Sequence, residues 1–370
     1  MVKTEVAIVG NGVAGYACAA RLARHGIRPL LIGPGLPVDR PPLTKQGLAA
    51  GAPVLLADEA RLDRLGIDRL DAHVDEAHLA TGRLVAGETE IEADRIVLAT
   101  GLTYRPPRIP GLEAAHVNAT PRGMTRLVEA LAGEPKRVVV VGAGLIGTET
   151  AATLAVAGHA VTAIDVLDRP LDRLHDPLPA LGGAALAETG ARFVGGAELT
   201  EITQSAAESE QVAVCYKGGS LTADVVVAAT GGRQSVPPGL DVDATELPLR
   251  VGPDLRVPGL ERVHAVGDLI LAPHARFGPI RFPHWDMAIA TGDRAADAIT
   301  GVESELDRLP YWWSDIGPRT FAEVGWADAA TEWGEEDGLH VGRDARGEPV
   351  AVLVVDDPRK LRAGRALLGA

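Results

Sequence analysis

Two short glycine turns carry the strongest chemical signal in this sequence: Gly10-Asn11-Gly12-Val13-Ala14-Gly15 and Gly142-Ala143-Gly144-Leu145-Ile146-Gly147. At this spacing the first glycine permits a tight turn, the second lets a pyrophosphate approach the backbone, and the third lets a helix pack closely on a strand. The free N–H groups and dipole of the following helix then hold the anion. One such turn also serves ordinary structural ends. Two copies in the same strand-turn-helix setting point to two bound dinucleotides.

Other residues extend the pattern. Asp165 follows the second apolar run of the second module, where a carboxylate accepts hydrogen bonds from a ribose 2′-OH and repels a 2′-phosphate, so NADH is expected over NADPH. Arg169 close by would soften that preference. Ala99-Thr100-Gly101 and Ala229-Thr230-Gly231 each close an apolar run, and each serves as a crossover to the parallel sheet or as part of a nucleotide site. Gly267-Asp268 ends another short run; an acid there caps the next turn or holds a ribityl hydroxyl or a flavin phosphate. The only cysteines, Cys18 and Cys215, have neither C-x-x-C nor metal-ligand spacing, so the expectation is two buried free thiols, no disulfide framework and no metal site.

The elements that position these residues read as two βαβ units. Thr4 to Val9 is a β-branched apolar strand, Tyr16 to His25 an amphipathic helix stopped by Gly26, and Pro29 to Ile32 a second strand. Arg137 to Val141, Thr148 to Ala157, Gly158 and Ala160 to Ile164 repeat the design. Alternation of this kind builds α/β folds whose parallel sheets bind ligands at the carboxyl ends of their strands.

Composition bounds the rest. The chain has 370 residues, 46% hydrophobic and 23% charged, more than one core usually serves and too apolar for disorder. A net charge of −14 argues against broad contact with nucleic acid or anionic lipid. The N-terminus enters an apolar strand without a signal-peptide pattern, and no run approaches the roughly 20 residues of a membrane span, so a cytoplasmic protein is expected.

These residues resemble a family: the two-dinucleotide flavoprotein reductases of the glutathione reductase superfold, and within it the putidaredoxin reductase-like NADH:ferredoxin and rubredoxin reductases that feed oxygenases. Pro37-Val38-Asp39-Arg40-Pro41-Pro42-Leu43-Thr44-Lys45 is similar to that group's P-Y-D-R-P-P-L-S-K. Gly147-Thr148-Glu149, His284-Trp285-Asp286 and Tyr311-Trp312-Trp313-Ser314-Asp315 add to the match. The resemblance implies two Rossmann-like domains and a small α+β C-terminal interface domain. Residues 1–112 and 242–308 would form a discontinuous FAD domain, 113–241 an NAD(H) domain and 309–370 the interface domain.

It also implies roles. Gly10, Gly12, Val13, Ala14 and Gly15 would hold the FAD pyrophosphate, with Ala99, Thr100, Gly101, Gly267, Asp268 and His284 around the cofactor. Gly142, Gly144, Leu145, Ile146 and Gly147 would hold NAD(H), with Asp165 and Gly231. Lys45 and Glu149 would be the catalytic pair, Arg40 and Lys45 near the flavin, Glu149 in its helix's first turn by the nicotinamide, and Trp285 against the isoalloxazine. Arg40 and Lys45 also read as solvated loop charges, and Trp312-Trp313 as core rather than an electron conduit. With no thiol in Pro41 to Gln46, dithiol chemistry is not expected, and electrons pass directly from flavin to an acceptor.

Three features depart from the family pattern. Ile32-Gly33-Pro34-Gly35-Leu36 has no acid for the FAD adenosine ribose, so FAD is expected to be held loosely. Pro283 precedes His284 where the group commonly has Glu. The C-terminal domain is short and ends in a basic run, Arg359 to Arg365, which would dock an acidic ferredoxin or form a solvated helix face. The leading reading is an FAD-dependent reductase passing electrons from NADH to a ferredoxin- or rubredoxin-like carrier, as a monomer or homodimer. The alternatives are a relative recruited to a small-molecule redox step in a biosynthetic pathway and an NADH-sensing interaction protein.

Overall fold

The computed structural model describes residues 1–104, 106–204, 211–236 and 247–369. The expected boundary at 241/242 lies outside the described residues. The chain divides into two compact units: residues 1–39, 55–103 and 233–310 form the first, and residues 40–54, 104–232 and 311–370 the second.

The sheet of the first unit runs Asp68–Leu70, Leu30–Ile32, Val2–Val9, Thr89–Leu98, Arg83–Ala86, Glu76–His78, with Val263–Ala265 also paired to Thr89–Leu98. The first four strands and Val263–Ala265 are parallel. Val6, Ala7, Ile8, Leu31, Ile96, Val97 and Leu98 are essentially inaccessible to solvent. That burial on both faces explains why these strands read as continuous apolar runs instead of alternating ones. The register aligns Val9 with Ile32 and Leu98, and Leu98 with Ala265, so four strands end at one level. Backbone bonds carry the ladder one step further, from Gly10 N–H to Ile32, Ala99 N–H to Val9 and Val266 N–H to Leu98. Gly10, Gly33, Ala99 and Val266 therefore form a single row along the carboxyl edge.

Helix Val13–Arg24 packs on helix Trp285–Thr300. The approach is close enough that a Cβ at Gly292 would come within 2.4 Å of the Ala14 carbonyl oxygen. Arg21 Nε donates to the largely buried Asp297 carboxylate at 2.8 Å, fixing the far end of the pair.

The second unit repeats the plan on four parallel strands in the order Arg192–Val194, Ala160–Ile164, Arg137–Val141, Val225–Ala228. Gly142 N–H bonds Ile164 and Ala229 N–H bonds Val141, the same steps as at Gly10 and Ala99. The meander Leu199–Gln204, Val212–Tyr216, Gly219–Ala223 leads back to this sheet. A five-stranded antiparallel sheet follows in the order Tyr311–Ile316, Arg319–Gly325, Pro349–Val355, Leu339–Arg343, Glu332–Glu336. It is packed by the terminal helix Lys360–Leu367. This is the expected α/β architecture with two Rossmann-like sheets and an α+β C-terminal part.

Three local expectations are corrected. Both glycine-turn helices start three residues early, at Val13 and Leu145, because Gly12 and Gly144 are themselves the extended residues before the first turn. Glu149 consequently lies in the second turn of its helix, not the first. Cys215, unlike Cys18, is only half-buried, since it lies in the exposed meander.

Candidate functional site

In the first unit the three glycines of the turn do different work. Gly10 has φ +112°, and a Cβ there would come within 2.3 Å of the Ala99 carbonyl oxygen, so only glycine fits the turn. A Cβ on Gly15 would lie 1.9 Å from the Gly10 carbonyl oxygen, which keeps helix and strand in contact. Gly12 faces open space, and no side chain caps the helix it precedes. The first-turn N–H groups at Val13 and Ala14 thus stand at an uncapped N-terminus, a ready anion site. Gly142, Gly144 and Gly147 repeat the pattern, with 2.5 Å to the Ala229 carbonyl oxygen, open space, and 1.8 Å to the Gly142 carbonyl oxygen; Leu145 and Ile146 form the matching uncapped turn.

Around the first cradle, Gly267 (φ +70°) is pressed against Ala14, donates its N–H to Thr291 Oγ1 at 3.0 Å, and places half-buried Asp268 beside the helix start. Thr100 donates to the Ser235 carbonyl, fixing the Ala99 to Gly101 turn. Trp285 Nε1 donates to Asp39 Oδ1 at 2.9 Å, tying the first turn of its helix to the start of the D-R-P-P-L-x-K stretch. His284 precedes that helix and packs on Phe282 at 4.7 Å between ring centroids.

Around the second cradle, Asp165 bridges two loops: Oδ2 accepts from Ala143 N–H at 2.6 Å and Oδ1 from Leu167 N–H at 3.0 Å. Each oxygen keeps lone-pair capacity for a ribose hydroxyl. Arg169 is tied to Asp172 at 2.6 Å and Asp176 at 3.3 Å, which draws it into its own loop. Thr230 donates to Tyr104 Oη at 3.3 Å, and Gly231 follows in a left-handed conformation.

Lys45 and Glu149 meet in the second unit. Lys45 Nζ lies 2.8 Å from Glu149 Oε1, with both side chains under one-tenth exposed. Ser314 Oγ donates to the same oxygen at 2.6 Å, and Thr44 Oγ1 donates to Oε2. Thr153 Oγ1 binds the Thr44 carbonyl at 2.8 Å, and Asn118 Nδ2 donates to Thr150 Oγ1 at 2.8 Å. A buried ion pair gains little net energy unless further hydrogen bonds complete it, and here two hydroxyls do so. Trp313 lies 5.9 Å beneath the Lys45 ammonium, a cation–π contact. Arg40 is exposed at the start of the 3₁₀ turn Pro41–Thr44, in keeping with a solvated charge.

Thr44, Ser314 and Asn118 are the residues of this cluster that reading the sequence did not single out. Thr44 and Ser314 lie within the stretches quoted for the resemblance, but their role depends on contacts 105 and 165 residues apart. Trp312, on the same strand face as Ser314, is core: it is 4% exposed and donates Nε1 to Glu323 at 2.9 Å. His175 Nε2 lies 2.6 Å from the other oxygen of Glu323, and its ring stacks on Trp333 at 4.2 Å. The basic run is partly occupied within the chain, Arg359 with Asp357, Lys360 with the carbonyls of Asp337 and Gly338, and Arg365 over Tyr311.

The two cradles fit dinucleotides by their own geometry: open space at Gly12 and Gly144, uncapped helices, and side-chain acceptors nearby. Neither holds a thiol. Burial pushes the Cys18 thiol far up, away from the thiolate form, with Asp293 adding to the effect. Among the described residues no cluster of His, Cys, Asp and Glu is arranged to hold a metal, and no helix is long and apolar enough to cross a membrane.

Comparisons with known proteins agree with this geometry. Residues 4–292 match the family model described as pyridine nucleotide-disulphide oxidoreductase. The chain is 28% identical to human apoptosis-inducing factor 3 over 88% of its own length, but spans only 56% of that relative. It is 31% identical to the chlorobenzene dioxygenase ferredoxin reductase component of a Cupriavidus species, covering 99% of this chain and 93% of that one. Among solved structures, a ferredoxin reductase from Rhodopseudomonas palustris superposes with a TM-score of 0.88 at 27% identity, over 99% of this chain and 95% of the other. With 289 consecutive residues matched and both glycine cradles inside them, the chain belongs to the pyridine nucleotide-disulphide oxidoreductase family.

Proposed function

We propose that this protein is an FAD-dependent reductase that oxidises NADH and delivers electrons to a ferredoxin- or rubredoxin-like protein. The observation that carries the reading is the pair of matching dinucleotide cradles in a chain with no redox-active thiol near either. FAD held by these residues would supply hydride acceptance from reduced nicotinamide and one-electron release to a carrier. The chain's residues bind, orient and tune. Residues 1–112 and 242–308 hold FAD through the turn Gly10 to Gly15, Asp268 and the Ala99 to Gly101 turn; residues 113–241 hold NADH through Gly142 to Gly147 and Asp165.

In this reading Lys45 and Glu149 act as a fixed charge pair held within the second unit. Glu149 fixes the ammonium of Lys45, and Thr44 and Ser314 fix Glu149 in turn. A cation held in this way, without freedom to reorient, stabilises negative charge more effectively than solvent does. The partner assignment draws on the relative and the solved structure whose names describe ferredoxin reductases.

The test is anaerobic mixing of the purified, FAD-loaded protein with NADH, followed by a panel of ferredoxins and rubredoxins. The expected result is rapid bleaching of the flavin and reoxidation by one class of carrier. Bleaching followed by turnover only with an organic substrate would overturn the carrier assignment, and no bleaching with NADH would overturn the reading as a whole.

A further inference from the structure

The chain contains its own standard of comparison, because the strand registers and backbone bonds of the two nucleotide modules correspond position by position at their sheet edges. In the second module, strands Ala160–Ile164 and Arg192–Val194 end in register, Ile164 against Val194, and the next residues are Asp165 and Gly195. In the first, Leu30–Ile32 and Asp68–Leu70 end in register, Ile32 against Leu70, and the next residues are Gly33 and Asp71. The backbone step is also the same, Asp165 N–H to the Val194 carbonyl at 3.2 Å and Gly33 N–H to the Leu70 carbonyl at 3.1 Å. Acid and glycine have exchanged places across one strand spacing.

The reason for the exchange is visible at the glycine turn. In the second module the turn residue Ala143 is small, and the Asp165 carboxylate reaches its N–H. In the first the turn residue is Asn11, whose side chain occupies that space: a Cβ on Gly33 would lie 2.5 Å from the Asn11 amide. Asn11 Nδ2 donates to the carbonyls of Pro34 at 3.1 Å and Gly35 at 3.0 Å, holding the loop after the strand. Asp71 completes the loop from the other side, Oδ1 accepting from Gly35 N–H at 2.8 Å and Oδ2 from Arg69 at 2.9 Å. The Gly35 N–H and Arg69 hold the Asp71 carboxyl below its usual range, so it is ionised and acceptor-only.

We infer that Asp71 is the residue of the first module that recognises the adenosine ribose of its dinucleotide, the part Asp165 is suited to play in the second. The inference rests on the flavoprotein reading above. Its consequence is that the expectation of loosely held FAD reverses: the missing acid after the second strand has a replacement 38 positions further along the sequence.

The experiment measures FAD uptake by the apo-protein through quenching of free-flavin fluorescence, with thermal unfolding of each apo-protein as the control for folding. Asp71→Asn, which keeps shape and loses charge, is expected to weaken FAD binding roughly 10- to 150-fold, the loss of a charge-assisted hydrogen bond. Moving the acid back should restore it: Asn11→Ala with Gly33→Glu, added to Asp71→Asn, is expected to recover most of the affinity. Gly33 does not have a positive φ, so Glu is conformationally acceptable there. Wild-type affinity in Asp71→Asn, with unchanged unfolding, overturns the inference and leaves the flavoprotein reading standing. Loss without recovery in the triple variant assigns Asp71 to loop support and overturns the exchange. A wild-type chain that takes up no FAD overturns the flavoprotein reading itself, and this inference with it.

Discussion

Glu149 and Ser314 meet through a 2.6 Å hydrogen bond that joins the helix of the second glycine turn to the first strand of the C-terminal sheet. The same carboxylate oxygen lies 2.8 Å from Lys45. Glu149→Gln keeps the shape of this cluster and removes its charge. It is expected to slow flavin reduction by NADH by one to two orders of magnitude, about 1.4–3 kcal/mol, with FAD retention unchanged; stopped-flow absorbance and ultrafiltration check the two halves. Glu149→Ala should in addition lower the melting temperature, because it leaves a buried ammonium unpaired, a change that costs about 3–5 kcal/mol in buried pairs. Ser314→Ala should reproduce the kinetic defect in milder form, and Ser314→Thr should largely rescue it.

The His175 to Glu323 pair gives a pH signature. Burial draws the His175 pKa down, but the Glu323 hydrogen bond and charge, with help from the Asp176 carbonyl and Asp328, outweigh it and leave the value raised. A histidine with a raised folded-state pKa adds stability that is fully present below its unfolded value near 6.5 and is lost as pH rises through the folded value. Thermal melts from about pH 6 to about pH 9 should therefore show the difference between wild type and His175→Phe shrinking as pH increases. A difference that grows with pH would refute the assignment.

Asp165→Ser should lower kcat/KM for NADH by roughly tenfold or more while sparing that for NADPH. Much of the loss should appear in KM, because a ribose contact is made in the bound ground state as well as in the transition state. Unchanged preference in steady-state assays with both coenzymes would count against a ribose-facing role.

Gly147→Ala and Gly15→Ala separate the two cradles. Each new methyl group would collide with a backbone carbonyl, at 1.8 and 1.9 Å respectively. Gly147→Ala is expected to abolish NADH-driven bleaching while the protein still retains FAD, and Gly15→Ala to yield a chain that loses FAD. Flavin content after gel filtration distinguishes them.

What the sequence reveals follows from the range of the forces involved. The parallel strands are legible because burial on both faces demands unbroken apolar runs, as in Val138 to Val141 of the strand Arg137–Val141, whose span the structure reproduces residue for residue. The glycine turns are legible because their constraints are local: φ at Gly10 and the absence of room at Gly15 are decided within six residues of chain and one neighbouring strand. Helix starts are less legible, since the residues after Gly12 and Gly144 do not show the apolar period that marks the helix body. Ser314 on Glu149, Glu323 on His175 and Asp71 on Gly35 escape because each depends on which segments of the folded chain lie side by side. Asp71 is the clearest case: the acid expected after Ile32 is absent from that loop but stands at the next strand end, a neighbour in space only once the sheet has formed.

The hydrogen bond between Ser314 and Glu149 also bears on how this protein can be recombined with its relatives. An exchanged C-terminal segment would bring its own hydroxyl, or none, to a carboxylate on the nucleotide helix, and its own partner, or none, to His175. Hybrids that graft a foreign tail for the sake of a new electron carrier would alter the charge placement around Lys45 at the same time. On the proposed function, carrier choice and coenzyme chemistry would not be separable cassettes, and a library built on tail exchange should keep Trp312, Ser314 and Glu323 fixed while varying the outward-facing positions of the same strands.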